Sequence, residues 1–159
     1  MTAPRVLLID YTREEVAAMP PGPLLDWLIL PVLTDCIPVD VGFEWRLFPM
    51  QVHAMSWFYR GRDTGPHHNL GPVRGAIYRI STDPGAAMGA LKWLCEQPGI
   101  SAFVGSADDW KLNDPWPFCC KWSDGNRHYE YADSPEHAIA LATALYGWDR
   151  AAEAKGAGK

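Results

Sequence analysis

Apolar and polar residues alternate along this chain in short blocks, separated by proline and glycine. The first helix signal is Thr12-Arg13-Glu14-Glu15, with Thr12 as N-cap and Glu15 at the capping-box position. Pro20 and Pro21 end this helix near Met19. A second helix is predicted from Gly22-Pro23 toward Leu33, because proline suits an early helical position. Leu24, Leu25, Trp27 and Leu28 make it apolar nearly all round, which places it in a core or in an oligomer interface. Pro31 is expected to kink or end it.

Residues 39–59 read as extended. Phe43, Trp45 and Leu47 alternate with Glu44 and Arg46, the period of a half-buried strand, and Val52 to Tyr59 makes a second, aromatic-rich strand. Arg60 to Gly75 reads as a long loop around the pair His67-His68, and loops of that length in compact domains are often functional. The next helix starts in Ser81-Thr82-Asp83-Pro84, carries Ala87, Leu91 and Leu94 at helical spacing, and stops at Pro98-Gly99. Ile100 to Val104 is a strand. Phe118 to Trp122 and Arg127 to Tyr131 form a hairpin around Ser123-Asp124-Gly125-Asn126, whose residues tolerate positive φ. The last helix is capped by Asp133 or Ser134, opens with Pro135, and buries Ala138, Ile139, Ala142, Leu145 and Tyr146. From Ala151 the tail is rich in Ala, Gly and Lys and is expected to fray.

This order predicts a single α/β (α+β) domain over residues 1–150. It is a helix–sheet–helix sandwich with a mainly antiparallel sheet, a long loop or insertion at about 37–76, and a flexible tail at 151–159. Four segments carry a resemblance: the proline-rich opening from Thr12 to Leu33, the helix beginning STDPGAA from Ser81 to Glu96, the hairpin from Phe118 to Tyr131, and the closing helix beginning ADSPEHAIALA from Ala132 to Tyr146. In these the chain resembles the phage ABA-sandwich domain family, small accessory proteins of tailed phages. The resemblance implies helices on both sides of a sheet and a phage or prophage origin. It implies no settled activity and brings no catalytic motif. Residues 37–76 look longer than the family's usual connection, so anything particular to this protein is sought there.

Composition narrows the function. A chain of 159 residues builds a core without metal or disulfide staples. Its formal charge of −5 disfavours bulk binding to duplex nucleic acid, yet allows a local basic pocket for a small anion. The apolar segment Val6 to Ile9 is too short for a secretion signal, and Leu24 to Leu33 is too short to span a bilayer. The expected compartment is therefore the bacterial host cytoplasm, with Cys36, Cys95, Cys119 and Cys120 as reduced thiols.

Catalytic chemistry finds little support. His67-His68, with His53 nearby, lack a ligand spacing such as HxxxH, so no metal is assigned. Cys119-Cys120 with His128 across the hairpin could make a nucleophile and base, but strand alternation puts one cysteine in the core. Asp108, Asp109 and Asp114 with Lys111 match no phosphate-transfer motif, and neither GxxxxGK[ST] nor GxGxxG occurs. No cofactor is implied.

The unusual feature is eight tryptophans, several beside basic residues, as in Trp57-Phe58-Tyr59-Arg60-Gly61-Arg62, Trp110-Lys111 and Lys121-Trp122. Aromatics interleaved with Arg and Lys can stack a base and pair a phosphate at once. The expected ligand-binding residues are Trp57, Tyr59, Arg60, Arg62, His67, His68, Arg74, Trp110 and Lys111. The leading function is a phage accessory binding protein, a homo-oligomer that sequesters a small host molecule such as a cyclic-nucleotide or nucleotide-derived immune signal. The alternative is an adaptor or inhibitor that grips a host protein through the same aromatic surface. A metal-dependent nuclease or hydrolase comes third.

Overall fold

The computed structural model describes residues 7–33, 36–40, 45–49, 79–106 and 117–157. A 3-10 turn at Leu8–Asp10 leads into α1 (Arg13–Ala17). The Thr12 side chain accepts from the Glu15 amide at 3.1 Å, and the Glu15 carboxylate accepts from the Thr12 amide at 2.7 Å, so the capping box forms as its residues predict. α2 (Pro23–Leu33) continues two residues past Pro31 rather than ending there. Pro31 has no N–H to donate four residues back, so the helix passes it with that one bond missing. Leu25, Leu28, Ile29 and Leu30 are buried, so the apolar circumference of α2 belongs to the core.

β1 (Cys36–Asp40) and β2 (Trp45–Pro49) form an antiparallel ribbon with Pro38 opposite Leu47. The alternation at Trp45 and Leu47 marks β2. Pro38 hides β1 from a propensity reading, although proline is tolerated where a strand has a free edge. The aromatic strand expected at residues 52–59 and the loop at 60–75 lie outside the described residues.

α3 (Pro84–Cys95) starts where expected: the Asp83 carboxylate accepts from the Ala86 amide at 2.8 Å and Pro84 follows it. Gly99 at φ +75° turns the chain into β3 (Ser101–Ser106). β4 (Phe118–Ser123) and β5 (Arg127–Ala132) close the hairpin through Gly125 at φ +106°. The sheet runs β3-β4-β5 and is antiparallel throughout. α4 (Pro135–Ala157) is the spine, packing on α1, α2, α3 and all three strands of the sheet. The Ser134 hydroxyl accepts from the His137 amide at 3.2 Å at its start. Its helix runs seven residues past position 150, where the sequence reading ends the domain. Ala, Glu and Lys are strong helix formers, and Arg150 pairs with Glu153 at 3.2 Å, so the last turns hold without burial.

The chain is thus mixed α+β, with helices packed on an antiparallel sheet. Cross-strand pairing puts Ala102, Trp122 and His128 in one row and Val104, Cys120 and Glu130 in another on the same face. Each of the four described helices sends buried side chains into the core over this face. Among the described residues no helix is long and apolar enough to cross a membrane.

Candidate ligand-binding site

Small residues let α4 approach its neighbours closely. A β-carbon built at Gly147 would collide with the Val32 side chain and stand 3.2 Å from Leu8 Cδ1. A cavity of about 370 Å³ lies beside this crossing, lined by residues of the Leu8–Asp10 turn, α2, α3 and α4. Leu8, Leu28, Pro31 and Val32 line it together with Trp93 and Tyr146. The two rings meet edge to face, centroids 5.7 Å apart at 75°, an arrangement that the ring quadrupoles favour. Arg150 sits one turn beyond Tyr146 and holds its guanidinium carbon 5.1 Å from that ring's centre. Gln97, one turn beyond Trp93, donates its side-chain amide to the Trp93 carbonyl at 2.9 Å. The cavity is therefore lined mostly by apolar side chains, with two aromatic rings and one cation among them.

Tyr146 also touches a polar cluster on the sheet. Its ring lies 6.4 Å from Trp122 at 83°. The fully buried Trp122 donates its indole N–H to Glu130 at 2.6 Å and stacks on the His128 ring at 4.0 Å. His128 in turn meets Asp124 at 3.0 Å. Burial pushes the Glu130 carboxyl above its usual range, against the Trp122 hydrogen bond and the charge of Arg13. Arg13 is held by a two-point bond to Asp149, Nε–Oδ1 3.0 Å with a second at 3.3 Å. Asp124 goes the other way: against a burial penalty, the Asn126 amide and the His128 ring hold its carboxyl low. A second buried acid, Asp26, is 4% exposed and accepts from the Ser81 amide at 2.9 Å, while the Ser81 hydroxyl accepts from Gly22. Burial raises the Asp26 carboxyl in spite of those bonds.

All nine residues expected from the sequence to bind ligand, Trp57, Tyr59, Arg60, Arg62, His67, His68, Arg74, Trp110 and Lys111, lie outside the described residues. So do His53, Asp108, Asp109 and Asp114. The pairing of Lys121 with Trp122 as one aromatic–cation patch does not survive. Trp122 is 1% exposed in the core, and Lys121 points to the opposite face, as strand alternation requires. The Cys119-Cys120 and His128 pairing fares no better. Cys120 stands opposite Glu130, His128 bonds Asp124, and burial drives the Cys120 thiol far above its usual range, the protonated and unreactive state. Among the described residues no group of three or more His, Cys, Asp or Glu side chains is arranged to hold a metal ion.

Trp93, Gln97, Tyr146 and Arg150 were not singled out by sequence as a site. One signal was available: each aromatic has its polar companion four residues later, on the same helix face. Compared with protein families, curated proteins and solved structures, the chain matches none.

Proposed function

We infer that this chain is a binding protein whose cleft between α2, α3 and α4 takes a small ligand with a flat apolar body and one acidic group. The observation that carries this is a cavity of about 370 Å³ lined by aliphatic side chains, by the paired rings of Trp93 and Tyr146, and by Arg150. Ligand sites are concave, mostly apolar and oriented by a few polar groups, and start near roughly 300 Å³. Among the described residues, the cleft lining holds no carboxylate, histidine, cysteine or serine. Arg150 and Gln97 supply recognition rather than a base or nucleophile.

Sequestration of a nucleotide-derived signal is a narrower proposal of the same class. It draws on the aromatic–arginine run at Trp57 to Arg62, and a cyclic dinucleotide carries more phosphate than one arginine can pair. The test is a thermal-shift screen followed by calorimetry, with aryl carboxylates in one arm and cyclic and linear nucleotides in the other. A ligand that binds only the folded state must stabilise it. The cleft reading expects a saturable aryl-acid hit that Arg150→Ala weakens by about tenfold, the low end for a charge-assisted bond at a half-exposed arginine. A nucleotide hit untouched by Arg150→Ala and Trp93→Ala moves the site to the aromatic–arginine run. A clean negative in both arms turns the reading to a host-protein partner.

A further inference from the structure

The face of the sheet turned away from the helices has a composition of its own. Antiparallel pairing sets Phe103, Lys121 and Tyr129 side by side across β3, β4 and β5, with Tyr131 and Arg127 two residues to either side of Tyr129 on the same face. Phe103 is 62% exposed, more than any other large apolar side chain among the described residues. The Lys121 ammonium lies 5.9 Å from the centre of the Tyr129 ring. The Tyr129 and Tyr131 rings are nearly parallel, at 16°, with centroids 6.4 Å apart. Arg127 is exposed. No aspartate or glutamate occupies this face of the three strands, although the chain as a whole carries a formal charge of −5.

The open part of this face is the Phe103 end, with Lys121 and Tyr129 half-buried beside it and Cys119 fully buried. An open ring next to cations is what a nucleic-acid strand needs. A base has a π-face of any sequence to stack on an aromatic side chain, and its phosphates need a cation nearby. A duplex keeps its bases stacked on one another and cannot offer those faces, so the match is to a single strand. A surface meant for a second copy of this acidic chain would not have to be free of acids. We propose that this face binds single-stranded nucleic acid, with bases stacked on Phe103 and Tyr129 and phosphates met by Lys121 and Arg127. It lies across the sheet from the Trp93–Tyr146 cleft, so the two readings stand or fall separately.

Fluorescence anisotropy with a labelled single-stranded oligothymidylate of roughly twelve nucleotides, within the usual site size, tests this at low salt. Saturable binding is expected, with a duplex of equal length at least tenfold weaker. Phe103→Ser should weaken the single-strand complex by about tenfold, the loss of one stacked base. Tyr129→Phe should retain it. Lys121→Gln should flatten the salt dependence by about one phosphate's worth. Arg150→Ala, in the cleft, should change nothing. Phe103 is exposed, so its variant keeps the fold, which circular dichroism checks. Absence of saturable binding, equal affinity for the duplex, or indifference to Phe103→Ser overturns the proposal. So does self-association of the wild type that Phe103→Ser abolishes, which would assign the face to a second copy.

Discussion

Gly147 offers a prediction whose sign opposes intuition. Glycine inside a helix costs about 1 kcal/mol relative to alanine, so Gly147→Ala in the 23-residue α4 should stabilise the protein on propensity alone. The structure says otherwise. The new β-carbon would overlap the Val32 side chain, and it would stand 3.1 Å from Cγ1 of that residue and 3.2 Å from Leu8 Cδ1. Val32 lies in α2, where a β-branched side chain has one strongly preferred rotamer, so it has no cheap way to turn aside. Leu8 is buried and fixed as well. Overpacking of this kind costs about 1–3 kcal/mol. A forced off-rotamer χ adds roughly 0.5–1.5 kcal/mol. After subtracting the propensity gain, Gly147→Ala should destabilise by about 0.5–3.5 kcal/mol, which lowers Tm by roughly 1–14 °C in a chain of this size. The assay is urea unfolding followed by circular dichroism, with two controls. Gly156→Ala, in the same helix with nothing within 4 Å of the methyl it would add, should be neutral or mildly stabilising. Val32→Ala should make Gly147→Ala harmless in a double-mutant cycle, because it removes the colliding methyls. A Gly147→Ala protein more stable than the wild type would refute the close crossing of α2 and α4, and with it the shape of the cleft.

Three further outcomes follow from the polar groups. Ser81→Ala should cost about 1–3 kcal/mol in denaturant unfolding, since it takes the hydroxyl acceptor from the Gly22 amide and the Ser81 side-chain bond from the buried Asp26 carboxyl, while the Ser81 amide bond to Asp26 stays. Glu130 has a carboxyl pKa raised by burial, so its contribution to stability is fully present below the usual glutamate range and is lost as pH rises through the folded-state value. Glu130→Gln should remove that part of the decline in a pH series of unfolding curves, while the part due to Asp26, shifted the same way, persists. Thr12→Ala removes one half of the α1 capping box and should cost about 1 kcal/mol by the same unfolding assay.

Local chemistry was legible in the sequence, and assembly was not. Thr12, Asp83 and Ser134 cap helices where polar residues precede prolines or acids, and Gly125 turns the hairpin. These signals act over three or four residues. The cleft depends on contacts that no local pattern encodes. Trp93 meets Tyr146 from another helix, and Arg13 reaches Asp149 across 136 positions. Asp26 reads as an interruption of an apolar helix, and only the fold brings Ser81 to it, 55 residues on. Tryptophan count alone also misled. Trp122, next to Lys121 in sequence, goes to the core because neighbours on a strand face opposite ways.

The most direct test of the cleft is a heteronuclear NMR titration of the labelled protein with the best aryl-acid hit. The account predicts saturable shifts of the Trp93 indole and of the backbone amides of Tyr146, Gly147 and Arg150, absent in Trp93→Ala and weakened in Arg150→Ala. Shifts confined to other residues, or no saturable shift with any compound, would contradict it.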